Sequence, residues 1–252
     1  MVKLKQLNLQ PTFGFLIAII ICLYSGISNA ETNLSNAKEL FHQGKWKEAV
    51  ELSKNDESGE GYALAAQITC YYGRFLAAEE NKEELFSQAM ALAEKGAKMS
   101  PESPFAHLQV AHAMGRYSQT VGILEALAEG FADRILESVN KAIELDPNYA
   151  TAYLLLGNWH AEIINSAGFM GRMIYGASES ESITAYDKAI KLEPNNLLIK
   201  LEYAGGLLKL DEDSYYKLAI AQLKTVISKS PNNTFDKILQ TKAKQMLSAL
   251  TN

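Results

Sequence analysis

The sequence predicts an all-α fold, a solenoid in which antiparallel helix hairpins follow one another along the chain. The main observation is a short motif of small and apolar residues that ends in proline and occurs four times. It closes at Pro101, Pro147, Pro194 and Pro231. Between these prolines, apolar residues such as Ile183, Tyr186 and Ile190 follow helical spacing. Because proline lacks an amide hydrogen and clashes with the preceding turn, each motif is expected to end a helix.

The repeat also predicts the domain organisation. Residues 31–252 are expected to form a single superhelical domain. Its hairpins are predicted near residues 34–58, 60–99, 104–145, 150–192 and 197–229, with a capping helix near 235–250. Small residues recur in fixed columns, such as Ala142 and Ala189 five positions before a proline and Gly157 ten after one, which lets helices approach closely. In the third unit, residues 105–129 could form one long helix that is broken at Gly130.

The first thirty residues are expected to be a secretory signal peptide. Lys3 and Lys5 give a positive start, an apolar run covers residues 13–21, and small residues lead to Ala30. Cleavage after Ala30 would give a periplasmic or secreted protein without stable membrane insertion. An uncleaved leader, retained as an N-terminal anchor, stays open as the alternative. The apolar run is shorter than the roughly 20 residues of a membrane span, which favours cleavage.

Charge and cysteine content narrow the classes of partner. Loss of the leader removes two lysines and no acid, so the mature chain has 22 basic and 29 acidic side chains and a net charge of −7. Without a basic cluster, nucleic acid and anionic membranes are poor partners. Cys70 would be the one cysteine left, so no intramolecular disulfide can form. Its apolar helical surroundings predict a buried structural thiol.

Two segments carry a resemblance to the tetratricopeptide-repeat (TPR) family, whose units are antiparallel helix pairs. Residues 40–49, with Gly44, Trp46 and Ala49, look like the turn and second helix of an ordinary unit. Residues 150–157 look like the start of a first helix. The resemblance covers essentially all of the mature chain. It implies an α-solenoid scaffold whose concave surface binds other molecules.

The hairpins are longer than those of a standard TPR. The proline spacings are 46, 47 and 37 residues, against the 34 of the standard repeat. Lengthened hairpins of this kind resemble the regulator-of-microtubule-dynamics-like bacterial TPR proteins and the periplasmic TPR component of TRAP transporters. Neither resemblance fixes a function. One insert is rich in glycine and holds three candidate binding residues: Phe169, Arg172 and Tyr175.

The resemblance also implies which columns of the first helices line the inner groove. Measured from the aligned prolines, these columns combine polar residues that could make directional contacts with leucines that could supply apolar area. The polar candidates are His112, Arg116, Asn158, Glu162 and Lys209. The apolar candidates are Leu108, Leu154 and Leu201. A merely solvated inner face is the competing interpretation.

No sequence pattern indicates catalysis, a metal or a cofactor. His107 and His112 are five residues apart, which does not place them on one helix face for a metal. Two Ser-x-x-Lys pairs, beginning at Ser35 and Ser214, lack the companion motifs of acyl-transfer enzymes. The leading hypothesis is a non-enzymatic protein-binding adaptor or scaffold with a protein or peptide partner. The alternative is a periplasmic accessory component of a solute transporter that holds a small apolar ligand.

Overall fold

The computed structural model describes residues 32–251, apart from the side chains of Ile123, Leu124 and Leu127. The predicted leader, residues 1–30, lies outside the described residues. All regular elements between residues 32 and 251 are helical, which confirms the predicted all-α solenoid. None of the helices described has the length and apolar character that crossing a bilayer requires.

The helices are numbered here in chain order. Those of the first half are α1 at residues 32–42, α2 at Trp46–Lys54, α3 at Gly59–Phe75, α4 at Lys82–Met99, α5 at Pro104–Val121 and α6 at Ile123–Ala128. Those of the second half are α7 at Phe131–Leu145, α8 at Ala150–Tyr175, α9 at Glu179–Leu192, α10 at Leu197–Leu210, α11 at Glu212–Ser228 and α12 at Thr234–Thr251. A short 3-10 turn, Glu79–Asn81, precedes α4. Hairpins form where α3 packs on α4, α5 on α7, α8 on α9 and α10 on α11.

Polar residues before the helices fix where several of them begin. Ser58, Ser103 and Asn196 each accept a hydrogen bond from a backbone amide of the first turn that follows. Such caps satisfy amides that have no partner within the helix, and each contributes about 1 kcal/mol. In α5 the cap is followed directly by Pro104, whose ring suits the first helical position.

Close helix contacts depend on one fully buried tyrosine. Tyr186 of α9 is 0% exposed and stacks on Tyr203 of α10 with ring centroids 4.6 Å apart. A Cβ atom placed on Gly157 of α8 would lie 2.8 Å from the Tyr186 ring, and one on Gly206 of α10 would overlap it as well. The two glycines therefore let α8 and α10 close around the ring of α9.

The C-terminal helix α12 also meets the N-terminal helices. Phe235, at the start of α12, lies within the aromatic side chains of the N-terminal hairpins. Its ring centroid is 5.0 Å from that of Phe41, 6.1 Å from Trp46, 4.9 Å from Tyr71 and 5.8 Å from Phe75. These five residues are called the closure cluster below. Beyond packing on α10 and α11, α12 thus joins the two ends of the superhelix.

Two of the lengthened hairpins differ in how the extra residues are used. The expected long helix over residues 105–129 is wrong, since α5 already ends at Val121. Gly122 has a φ of 89° and turns the chain into the separate helix α6. In the next hairpin, α8 runs on to Tyr175 but is kinked at Gly168, where φ is 52° and ψ is −127°. Residues 169–175, beyond the kink, are called the α8 tip.

Candidate binding site

The polar residues predicted for the groove meet in one pocket. Its walls come from helices α3 and α5 to α10, and its volume is about 320 Å³. All five polar candidates line it: His112, Arg116, Asn158, Glu162 and Lys209. Four of the contributing helices, α3, α5, α8 and α10, are the first helices of their hairpins. The pocket therefore lies on the inner side of the solenoid.

A buried ion-pair triad forms part of the pocket wall. Glu202 of α10 lies between Arg74 of α3 and Arg116 of α5. Its carboxylate oxygens are 2.6 Å from Arg74 Nη2 and 3.4 Å from Arg116 Nη2. The side chain of Glu202 is 8% exposed and that of Arg116 is 11% exposed. Because loss of one partner would leave buried charge without compensation, the triad ties three helices together across the pocket.

Polar contacts continue along the same wall. Arg116 Nη1 donates to Gln119 Oε1 at 3.3 Å, and Gln119 Nε2 donates to Glu162 Oε2 at 3.3 Å. Glu162 in turn forms an ion pair with Lys209. Counting Arg74, the charged residues that line the pocket comprise three cations and two carboxylates.

The part of the pocket contributed by α7 and α8 is largely apolar. Trp159 is 5% exposed, and its Nε1 donates to the carbonyl oxygen of Ala132 at 2.8 Å. This bond anchors the indole against α7. Phe131, Ile135 and Tyr175 extend the apolar lining. The pocket thus combines a charged wall with an aromatic and aliphatic one.

Two of the predicted polar residues are already engaged within the fold. Burial lowers the pKa of His112 to about 4, and the nearby Glu202 carboxylate opposes this effect. The imidazole is neutral at pH 7 and its centroid lies 5.3 Å from the Tyr71 ring. Asn158 Oδ1 accepts a hydrogen bond from the Tyr186 hydroxyl at 2.7 Å. These side chains hold the pocket in shape in addition to lining it.

The three leucines predicted to supply apolar area are core residues in the structure, and two of them, Leu108 and Leu154, also line a small second pocket next to the first. Leu108, Leu154 and Leu201 are 0%, 2% and 1% exposed and belong to the hydrophobic core. The stripe that faces the pocket begins one position later in the repeat. It includes Leu155 of α8 and Glu202 of α10, and the leucines of the preceding column pack between helices instead.

The insert candidates lie at the end of α8. In the α8 tip, Phe169 is 72% exposed, and Met170, Met173 and Ile174 are 55%, 66% and 64% exposed. Arg172 lies 4.0 Å from Glu179, across the turn to α9. Tyr175 points the other way in the fold, since it lines the pocket. Large contiguous apolar surface of this kind is typical of an interaction site.

Sequence reasoning missed Arg74, Gln119 and Glu202. The repeat was aligned on prolines that precede a first helix, and α3 has no such proline before it, so Arg74 fell in no column. Glu202 carried a usable signal, because it is the one acidic residue of the leucine-rich helix α10; in the structure its side chain is 8% exposed. Lys, Glu, Arg and Asp are almost never fully buried without a partner. That rule would have predicted a cation close to Glu202.

Cys70 is 1% exposed, as predicted, and burial raises the pKa of its thiol to about 12. A thiol with such a high pKa stays protonated near neutral pH and is a poor nucleophile. Within residues 32–251, no three His, Cys, Asp or Glu side chains are grouped so that they could hold a metal ion.

Helix pairs stacked around an inner pocket define a TPR-like α-solenoid protein. A solved structure of a thermophilic TPR protein from Thermus thermophilus matches the fold with a TM-score of 0.59 and 15% sequence identity. The match covers 86% of this chain and 99% of that one. At that identity the likeness concerns the fold alone. A TPR-like helical fold is suited to a protein-binding scaffold.

The chain belongs to the family described as Regulator of microtubule dynamics protein 1-3, which matches residues 33–251. Regulator of microtubule dynamics protein 1 of Bos taurus is 25% identical over 247 residues, covering 91% of this chain and 75% of that protein. The Mus musculus protein of the same name is 26% identical over 237 residues, 88% of this chain and 75% of that protein. Protein O-mannosyl-transferase TMTC1 of Mus musculus is 28% identical over 184 residues, 73% of this chain. The chain spans 16% of that transferase.

Proposed function

We propose that this chain is an exported, non-enzymatic adaptor or scaffold that binds a protein partner through its inner pocket and the adjoining α8 tip. The observation that carries the proposal is the arrangement of these two surfaces. The tip offers four large apolar side chains that are at least 55% exposed, and its last residue, Tyr175, reaches into the charged pocket. Protein interfaces typically combine an apolar centre with a polar surround.

The test begins with the partner. An affinity-tagged chain is co-purified from native envelope, cross-linked, and the linked peptides are identified by mass spectrometry. A direct partner should link to residues of the tip or the pocket rim. The tip is substituted before Arg116 or Asn158, because changes at those two residues would also remove contacts within the fold.

Substitutions in the tip then measure its contribution. The double change Phe169→Ser/Met173→Ser should weaken binding of the purified partner about tenfold or more. Loss of one well-buried interface side chain often costs over 1 kcal/mol of binding free energy. The matched control is Leu76→Ser/Met99→Ser, which alters residues that are 45% and 48% exposed and lie outside the pocket lining. Equal affinity of both variants would reject the tip as the binding surface.

The export step of this proposal has its own measurement. The leader pattern in residues 1–30 supports cleavage after Ala30 and a periplasmic or secreted location. Intact mass of protein taken from an envelope fraction should correspond to a chain that starts at Glu31 and carries no lipid. Retention of the leader would favour the anchored alternative instead.

A second candidate function is a periplasmic accessory component of a solute transporter that holds a small ligand. The cavity volume of about 320 Å³, with Trp159 and Tyr175 in its lining, favours this candidate. Small-molecule pockets begin at about 300 Å³ and are mostly apolar with a few placed polar groups. Native mass spectrometry of the purified protein should then show a bound small molecule that denaturation releases.

A further inference from the structure

The charged wall of the pocket has more hydrogen-bond donors than acceptors. A guanidinium carries five N–H donors, and a carboxylate has about four lone-pair sites. Two guanidiniums, of Arg74 and Arg116, share the single carboxylate of Glu202. Two buried atoms of this pair have no hydrogen-bond partner among the described residues: Nε of Arg74, and Oε1 of Glu202, which lies 2.6 Å from Arg74 Nη2 in the ion pair. An unsatisfied buried donor is destabilising, and the Arg74 side chain is 26% exposed, so an additional acceptor beside this guanidinium would be favourable.

The other carboxylate of the wall is also engaged. Glu162 accepts a hydrogen bond from Gln119 and forms an ion pair with Lys209. With both carboxylates paired, the three cations that line the pocket leave one positive charge in excess. This excess positive charge would repel a cationic ligand. A neutral apolar ligand would bring no additional acceptor for the donors of Arg74 and Arg116.

The size and lining of the cavity limit the rest of the ligand. About 320 Å³ lies at the lower end of small-molecule pockets, which favours a compact ligand. Trp159 and Phe131 are 5% and 3% exposed and present aromatic surface to the pocket. Such surface binds a compact apolar or aromatic body.

We propose that the pocket binds a compact amphiphile with one carboxylate, which pairs with Arg74 and Arg116 while its apolar body lies against Trp159. The proposal rests on the second candidate function, the binding of a small ligand by a transporter accessory component. It refines that function by assigning the ligand a negative charge. It does not depend on a protein partner.

The probes are phenylbutyrate, its alcohol phenylbutanol and its amine phenylbutylamine, titrated into the full chain by calorimetry. Phenylbutyrate should bind at least tenfold more tightly than the alcohol, and the amine should bind most weakly. Equal binding of acid and alcohol would support a purely apolar ligand and overturn the proposed carboxylate contact. Tighter binding of the amine would overturn it too. No binding of any probe would overturn the proposal and count against the small-ligand function itself.

Two variants locate the site. Arg74→Gln should weaken the binding of phenylbutyrate at least tenfold and leave the binding of phenylbutanol nearly unchanged. Its matched control is Arg134→Gln, which alters an arginine that pairs with Glu94 and lies outside the pocket lining. Ala167→Trp, on the half-buried lining of α8, should block all probes by filling the cavity. Circular dichroism identifies any variant that has unfolded, and undiminished phenylbutyrate binding to a folded Arg74→Gln would reject the site.

Discussion

The closure cluster and the α8 tip are built from the same kind of residue and do opposite things. In the closure cluster, the Phe235 ring is 8% exposed and contacts the rings of both N-terminal hairpins. In the tip, Phe169 is 72% exposed. Both phenylalanines stand near a helix end, so local helix propensity does not separate them. What separates them is the presence of a partner element.

This difference indicates how the extra length of the hairpins is used. Closure of the superhelix through Phe235 fixes the curvature, and the buried triad around Glu202 reinforces it across the pocket. The tip lies beyond Gly168 and takes part in neither the closure cluster nor the triad. Stability is therefore expected to depend on the closure cluster, and recognition on the tip. Four predictions can break or sharpen this comparison.

The largest difference is expected between alanine substitutions of the two phenylalanines, Phe235 and Phe169. Phe235→Ala should lower the free energy of unfolding by about 3–5 kcal/mol, because a buried aromatic side chain is lost and a cavity remains. Phe169→Ala should change it by less than about 0.5 kcal/mol, as is usual at exposed positions. Urea denaturation followed by circular dichroism measures both. Similar losses in the two variants would show that the tip packs on something in solution.

A change in the body of α8 should also be severe. Gly157→Leu forces a side chain into a position whose Cβ would already lie 2.8 Å from the Tyr186 ring. Overpacking of this kind costs about 1–3 kcal/mol and sometimes more. The control is Gly115→Ala in α5, where a Cβ would meet its nearest neighbour at 3.9 Å. That variant should gain about 0.5–1 kcal/mol from helix propensity. An unchanged melting temperature for Gly157→Leu would mean that the helix contact is misplaced.

The pH dependence of stability reports on the surroundings of the closure cluster, because the buried His112 lies against Tyr71, a member of that cluster. The pKa of His112 is lowered from 6.5 to about 4 in the folded protein, so protonation favours the unfolded chain. Its contribution is fully present above pH 6.5 and is lost as pH falls towards 4. Between pH 7 and 5 the free energy of unfolding should drop by about 1–2 kcal/mol.

The matched variant is His112→Gln, which cannot titrate in this range. It should show a flatter dependence of stability on pH over the same interval. His160 also has a lowered pKa because of burial, so part of the slope should remain. An unchanged slope in His112→Gln would assign the whole effect to His160 and the carboxylates.

The sequence predicted the helical solenoid because it follows from local periodicity, and the resemblance to the TPR family implied which polar columns face inward. Four prolines set the register, and counting from them placed Asn158 and Glu162 on the inner stripe. The predicted leucines are buried between helices and the column one residue later faces the pocket, because one residue turns a side chain by about 100° around a helix. Arg74 and Glu202 meet across 128 positions of sequence, and Phe235 reaches the first hairpin. Contacts over such distances depend on the curvature of the whole superhelix, which no local pattern contains.

The smallest effect on global stability, and the most specific to the tip, is expected from Gly168→Ala. Gly168 has a φ of 52° and a ψ of −127°, a conformation in which side chains other than hydrogen are strained by about 1–3 kcal/mol. Because the tip makes few buried contacts, it can relieve the strain by opening locally while the rest of α8 stays packed. The free energy of unfolding should therefore change by less than about 0.5 kcal/mol, within the range of surface substitutions. Amide hydrogen exchange should rise in residues 169–175 and stay constant in residues 150–167. Faster exchange throughout α8 would show that the kink at Gly168 supports the helix body, and the separation between packed body and exposed tip would then be wrong.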